Sequence, residues 1–177
     1  PAFTIRRGVV ADAPALAVFA AQTFRDTYEA DNAPGLVDAH VAAAFGEVQQ
    51  AAELSDPSRV TLLALHDDAL AGYAQLRVGA APPCVVQPAV VELQRFYVAR
   101  AFHGRGLAAP LLSAAFDAAR TMGGRHVWLG VWERNPRAIT FYRRQGFALA
   151  GTHTFMMGPD AQRDHVLVRA LTDPPPA

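Results

Sequence analysis

A strand, a glycine turn and a helix follow one another between Val90 and Ala108, and this segment constrains the fold more than any other. The apolar run ending at Val98 is typical of a buried strand, and the turn that follows reads His-Gly-Arg-Gly-Leu-Ala over residues 103–108. Glycine lets the backbone approach a ligand, and the free N–H groups at a helix N-terminus attract anions. The segment therefore predicts a phosphate or pyrophosphate site. An ordinary strand-to-helix connection has the same pattern, so the rest of the chain must decide between them.

Composition excludes several classes of protein. The chain has 177 residues, of which 51% are hydrophobic, and this length and composition predict one domain over residues 1–171 with a proline-rich tail at 172–177. A net charge of zero argues against a general nucleic-acid binder. No apolar run approaches the ~20 residues that cross a bilayer, and no signal-peptide pattern opens the chain. The lone Cys84 allows no internal disulfide, and no Cys/His set has zinc spacing. We therefore expect a cytoplasmic protein with no metal, nucleic-acid or membrane partner.

The hydrophobic patterns predict seven strands and four helices in the order β-α-α-β-β-β-α-β-α-β-β, an α+β (three-layer α/β) arrangement. Asp12 is the expected N-cap of the first helix, and the alternation from Leu70 to Val78 predicts a strand with one buried face. The predicted strands cover residues 3–7, 59–65, 70–78, 90–98, 126–132, 147–157 and 165–171. The predicted helices cover residues 12–28, 36–54, 107–122 and 136–146.

Asn135 opens a second pattern, Asn-Pro-Arg-Ala-Ile-Thr-Phe-Tyr over residues 135–142, which is followed by Gly146 and Phe147. This segment is similar to the N-x-x-A-x-x-F-Y-x-x-x-G-F pattern of the GNAT superfamily of acetyl-CoA-dependent N-acetyltransferases. The glycine turn resembles the superfamily's Gln/Arg-x-x-Gly-x-Gly/Ala loop, except that His103 stands where Gln or Arg is usual. With the element order, the resemblance covers residues 3–171.

The resemblance implies the GNAT fold: a central mixed, mostly antiparallel sheet of about seven strands flanked by four helices. Its fourth and fifth strands, which here contain the segments 92–98 and 128–131, would be parallel and splay apart around acetyl-CoA, the co-substrate. Phosphate contacts would come from the turn, with Arg100, Arg105, Arg143 or Arg144 as possible partners. The implied acetyl-CoA-binding residues are Phe96, Tyr97, Val98, His103, Gly104, Arg105, Gly106, Leu107, Ala108, Asn135 and Tyr142.

Acetyl transfer to an amine requires a base for the alkylammonium, donors for the carbonyl oxygen and a proton for the departing thiolate. The resemblance implies that Tyr142 protonates the thiolate, with a purely structural aromatic residue as the alternative. It also makes Glu92 the candidate base. By simple alternation Glu92 shares a face with Gln94 and Phe96. The alternative for Glu92 is a structural carboxylate paired with Arg95, Arg77 or a backbone N–H.

The acceptor is indicated only by the segment Thr23-Phe-Arg-Asp-Thr-Tyr-Glu29 and Asp31, which place acidic and aromatic groups near the expected entrance. A solvated helix end is the alternative explanation of these residues and the one that such charges usually have. Together with residues 92–98 and 128–147, this segment resembles bacterial spermidine and spermine acetyltransferases, which implies a small amine, with a polyamine as one form of it. One alternative is an enzyme that acetylates a protein lysine or an N-terminal amine, which a flat entrance would favour. The other is a module that binds acyl-CoA without catalysis. By analogy with the family, the final strands predict a homodimer.

Overall fold

The computed structural model describes residues 2–171, so the predicted tail at 172–177 lies outside the described residues. The strands are β1 (Thr4–Arg7), β2 (Arg59–His66), β3 (Ala69–Arg77), β4 (Val90–Val98), β5 (His126–Trp132), β6 (Ala148–Met157) and β7 (Asp160–Ala170). The helices are α1 (Ala13–Tyr28), α2 (Leu36–Ala44), α3 (Glu47–Ser55), α4 (Ala108–Thr121) and α5 (Pro136–Arg144). In residues 2–171 no helix is both long and apolar enough to cross a membrane.

A single seven-stranded sheet, in the order β1-β2-β3-β4-β5-β7-β6, forms the middle layer. All neighbouring strands are antiparallel except β4 and β5, which are parallel as predicted. Apolar residues of α4 and α5 pack on one face of the sheet, and those of α1 and α2 pack on the other. The predicted fold is confirmed. The single-domain assignment of residues 1–171 and the cytoplasmic location stay predictions.

The prediction of four helices is wrong, because the predicted helix over residues 36–54 is two helices. The break falls at Phe45 and Gly46, where Gly46 has an extended backbone with ψ of 157°. Phe45 leaves the helical path and becomes 4% exposed, packed against Phe24 of α1. Because α3 runs in a new direction, Gln50 and Glu53 are buried over the sheet. Buried polar side chains require hydrogen-bond partners.

Local chemistry explains three further differences from the predicted elements. Asp12 precedes α1, but its carboxylate accepts from Arg6 and from the Val9 N–H and does not cap the helix. The central residues of β3 are buried on both faces, because helices cover both sides of the sheet. The prediction that β3 has a single buried face is therefore wrong. The last strand, β7, begins five residues before the predicted start, at residue 160.

At the sheet edge, β6 exposes Leu149 and Met156 to solvent. Both side chains are apolar and more than half exposed. Such an edge is open to pairing with another chain. Dimer formation through the final strands stays a prediction.

A β-bulge in β4 creates the space between β4 and β5. Leu93 pairs with Leu76 and Arg95 pairs with Gln75, which leaves Gln94 as the extra residue. The parallel pairing with β5 covers only Val90 to Glu92 and stops before the bulge, because a bulge bends its strand and increases the twist. The two strands separate from there, as predicted for a splayed pair.

The bulge also reverses which side chains share a face. Leu93 and Phe96, three residues apart, both pack into the cluster on the α4 side of the sheet. Glu92 is next to Leu93 in the chain and therefore points to the opposite face, beside Arg77. The prediction that Glu92 shares a face with Phe96 is wrong, because simple alternation takes no account of the extra residue.

Candidate active site

A cleft of about 660 Å³ lies where β4 and β5 separate. Its wall is formed by β4 from Leu93 onward, the glycine turn, the exposed Gly130 of β5, the start of α5 and the end of α1. Ten of the predicted acetyl-CoA-binding residues lie in this wall: Phe96, Tyr97, Val98, His103, Gly104, Gly106, Leu107, Ala108, Asn135 and Tyr142. The structure places Arg105 outside it.

The glycine turn presents backbone N–H groups to one end of the cleft. Gly104 and Gly106 have φ of +73° and +82°, which glycine adopts without strain. No side chain caps α4, and Pro110 in its first turn has no N–H to satisfy. The free donors and the positive end of the helix fit the pyrophosphate of coenzyme A. The predicted anion site is therefore supported by its geometry.

His103 has a different task from the Gln or Arg that the family pattern predicts. Its Nε2 lies 2.8 Å from the Val98 carbonyl oxygen, and its Nδ1 lies 2.6 Å from Arg137 Nη1. Since Arg137 only donates, Nδ1 must accept and Nε2–H must donate to Val98. Burial lowers the pKa of His103, and the positive charges of Arg137 and Arg100 add to this effect. A neutral His103 therefore joins β4 to Arg137 and holds this guanidinium beside the cleft.

Among the arginines proposed for the phosphates, only Arg100 lines the cleft, where it donates to the Asp26 carbonyl oxygen at 2.8 Å. Arg143 and Arg144 of α5 lie elsewhere. Sequence reasoning missed Arg137, which lies in the wall beside the glycine turn. The available signal was its position inside the Asn135 pattern, because Arg137 lies in the first turn of α5, directly after Asn135 and Pro136.

We expect the substitution Arg137→Gln to weaken coenzyme A binding about 10-fold, which equals about 1.4 kcal/mol for one lost charge-assisted hydrogen bond. Calorimetric titration with coenzyme A is the measurement. Arg143→Gln removes the same charge from an exposed position of the same helix and is the matched control. An equal loss in both variants would show that only the net charge of α5 matters.

Tyr142 lies on α5, which carries it to the cleft. This helix begins at Pro136, because the Asn135 Oδ1 caps it by accepting a hydrogen bond from the Ala138 N–H at 3.1 Å. The side chain of Tyr142 is buried among Phe96, Phe147 and neighbouring apolar residues. Burial raises the pKa of its phenol further above neutrality. Tyr142 therefore keeps its proton at neutral pH and has one to give.

Glu92 lies outside the cleft wall. Its Oε2 accepts a hydrogen bond from Arg77 Nε on the adjacent strand, and its side chain is only 13% exposed. This is one of the pairings that the structural alternative for Glu92 requires. The position offers a base no direct contact with the cleft.

The part of the cleft beside the end of α1 is aromatic and acidic. Tyr28, at the end of α1, packs against Trp132 with ring centroids 5.5 Å apart. Burial raises the pKa values of both Tyr28 and Tyr97, so these phenols stay protonated. Asp26 and Asp31 line the cleft, as the acidic segment predicted. Arg100 and Arg134 also line the cleft, so the aromatic rings of Tyr28 and Trp132, more than net charge, are what would favour a cation here.

Sequence reasoning missed a second cavity, of about 800 Å³, which shares Asp31, Trp132 and Arg134 with the cleft. Its walls are the connection between α1 and α2 and the hairpin of β6 and β7. Two further carboxylates, Glu133 and Asp160, lie in these walls. No grouping of three or more metal-ligating side chains occurs within residues 2–171.

Known proteins match the chain over most of its length. The model of the Acetyltransferase (GNAT) family matches residues 21–147. An uncharacterized N-acetyltransferase of Mycobacterium tuberculosis is 38% identical over 160 residues, covering 90% of this chain and 98% of its own. Streptothricin acetyltransferase of Streptomyces lavendulae is 30% identical over 128 residues, 71% of this chain and 65% of its own.

A solved structure, the PaiA N-acetyltransferase of Thermoplasma acidophilum in complex with coenzyme A, has the same fold. Its TM-score is 0.79 at 18% identity, and the match covers 96% of this chain and 99% of that one. The family match, the relatives and the cleft agree on the chemistry. The chain belongs to the GNAT family and is an acetyl-CoA-dependent N-acetyltransferase.

Proposed function

We propose that the enzyme transfers acetyl from acetyl-CoA to a primary amine of a small molecule, by direct attack within a ternary complex. The observation that carries this proposal is the concave shape of the cleft beside the end of α1, where the acceptor would bind. The cleft shares Asp31, Trp132 and Arg134 with the second cavity, whose walls are the α1–α2 connection and the β6–β7 hairpin. A protein substrate would favour a flat, open entrance, whereas these walls favour a small amine.

Residues of the cleft meet the remaining needs of the reaction. Beyond Glu92, β4 has no strand partner on its β5 side, so its main-chain groups near Phe96 and Val98 can bind the pantetheine amides and the carbonyl oxygen. The glycine turn holds the pyrophosphate. Tyr142 gives its proton to the thiolate as the carbon–sulfur bond breaks.

We further propose that the acceptor carries a second cationic group, as a di- or polyamine does. The second cavity is lined by three carboxylates, those of Asp31, Glu133 and Asp160, and by the two guanidinium groups of Arg134 and Arg163, so the carboxylates are in excess there. With one amine at the thioester, the other would remain among these carboxylates. The name of the streptothricin acetyltransferase relative also supports a small acceptor.

The test is turnover of acetyl-CoA with a panel of amines, with products identified by mass spectrometry. The panel contains spermidine, spermine, streptothricin, aminoglycosides, amino acids, matched monoamines and short peptides. Acetylation of a di- or polyamine supports the proposal. Acetylation of peptides alone would favour a protein acceptor, and saturable acetyl-CoA binding without any product would favour a non-catalytic module.

Asp31→Asn is expected to raise KM for a diamine about fivefold and to leave KM for a monoamine nearly unchanged, because an exposed ion pair contributes about 1 kcal/mol or less. Steady-state kinetics on the two acceptors measure the effect. Asp68→Asn removes the same charge at the β2–β3 turn, outside the cleft wall, and serves as control. An equal change for both acceptors would contradict the role of Asp31.

A further inference from the structure

Gly130 leaves an opening in the floor of the cleft. It is exposed, although it lies in the middle of β5 between the buried Leu129 and Val131. A Cβ atom at residue 130 would lie 2.8 Å from His153 Nε2 and 3.0 Å from Asp164 Oδ2. Any side chain here would therefore close the space above these two groups. Both groups lie outside the cleft wall itself, behind Gly130, and a side chain at residue 130 would separate them from the cleft.

Asp164 and His153 face each other from the paired strands β7 and β6. Asp164 Oδ2 lies 3.5 Å from His153 Nε2, and the Asp164 side chain is 13% exposed. His153 Nε2 is buried and has no hydrogen-bond partner among residues 2–171. Burial of polar atoms without a full set of hydrogen bonds is costly and often marks a functional site. Neither residue has a place in the chemistry assigned so far.

Other groups around the carboxylate adjust its proton affinity. Burial raises the pKa of Asp164, whereas His153 and His165 oppose the rise and Glu133 adds to it. The phenols of Tyr28 and Tyr97, which line the cleft, are close enough to Asp164 for its charge to raise their own pKa values. Asp164 is thus electrostatically coupled to the acceptor end of the cleft.

We propose that Asp164 and His153 form the pair that accepts the proton of the acceptor ammonium at the Gly130 opening. The inference rests on the proposed function. One N–H bond of the ammonium breaks, and its proton passes to the pair, directly or through water. The freed nitrogen lone pair forms the C–N bond and the C–S bond breaks. The thiolate takes the Tyr142 proton, and the second proton lost by nitrogen restores Tyr142 through solvent.

Acceptors of different basicity separate this role from a structural one. In Asp164→Asn, we expect kcat/KM to fall about 100-fold for an amine of pKa near ~10, which must be deprotonated first. For an analogous amine whose pKa lies below the assay pH, the fall should be less than about fivefold, because that amine is already neutral. His153→Gln should show the same selectivity. Coenzyme A affinity should stay at the wild-type value in both variants.

His126→Gln is the matched control, because this histidine lies at the start of β5 and bonds the Pro88 carbonyl oxygen away from the cleft. Gly130→Ala, checked for folding by thermal unfolding, should reproduce the selective loss by filling the opening. Equal losses for both amines, or no loss in Asp164→Asn, would overturn the pair's role while leaving the proposed function intact. A wild-type enzyme that acetylates no amine would instead overturn the proposed function.

Discussion

Tyr142→Phe is expected to lower kcat about 100-fold and to leave coenzyme A affinity unchanged. The variant keeps the ring that packs on Phe96 and Phe147 and loses only the proton that the thiolate would receive. Loss of a positioned general acid costs about 10²–10⁴ in rate. Steady-state kinetics with the best acceptor of the panel, together with calorimetric titration of coenzyme A, measure the two quantities.

The pH dependence of the wild type should agree with this role. An acid catalyst works while it is protonated, so its contribution is lost as pH rises through its pKa. Because burial raises the pKa of Tyr142 above that of free tyrosine, this loss falls above pH ~10. Between about pH 7 and about pH 9, titration of Tyr142 should leave kcat flat.

Tyr73→Phe is the matched control for Tyr142→Phe. Tyr73 is fully buried, lies outside the cleft wall and has a hydroxyl without a hydrogen-bond partner in the described residues. Removing that hydroxyl should change neither kcat nor coenzyme A affinity. Similar losses of rate in both variants would indicate a general effect of lost phenols and would contradict the specific role of Tyr142.

Glu53→Ala is expected to lower the free energy of unfolding by about 3 kcal/mol, the largest stability effect that we predict. Glu53 is 5% exposed and accepts from Arg95 Nη1 at 2.5 Å. Arg95 also donates to Gln75 and lies 4.7 Å above the Phe45 ring. Removing one partner of a buried ion pair leaves an uncompensated charge, which costs about 3–5 kcal/mol. Urea denaturation measures the change.

Two comparisons interpret that result. Asp38→Asn breaks the exposed pair with Arg25, in which the Asp38 side chain is 67% exposed, and should cost less than about 1 kcal/mol. The double variant Glu53→Leu with Arg95→Leu removes both buried charges and should be more stable than Glu53→Ala. If Glu53→Ala and Asp38→Asn cost the same, the buried pair is not the source of the effect.

Local patterns predicted the order of helices and strands along the chain, the two strands on either side of Asp67 and Asp68, and the glycine turn, because each depends on residues close in the chain. The paired positive φ values at Asp67 and Asp68 are those of a tight hairpin turn. The break at Gly46 was not predictable from helical periodicity. It depends on where Phe45 finds its core position against α1, which is a tertiary contact.

The sequence predicted the candidate site best where residues close together in the chain form it. It predicted the site least well where side chains far apart in the chain come into contact. Tyr142 was predicted from the resemblance of residues 135–147 to the family pattern, and the glycine turn from its own local sequence. Asp164 and His153 do not, because they meet only through the pairing of β6 and β7. The polar run before residue 165 also kept Asp164 out of the predicted last strand. The contact of His103 with Arg137 likewise joins residues 34 positions apart.

The bulge at Gln94 has a consequence for the kinds of sequence change that β4 can accept. Beyond the bulge, Phe96 packs on the α4 side and Tyr97 stacks on Tyr73 on the other. Deleting one residue before Phe96 would exchange those two faces, because side-chain orientation repeats every two residues. Substitutions within the strand keep the number of residues and therefore leave the orientation of each side chain unchanged. The length of the strand is therefore constrained more tightly than its composition.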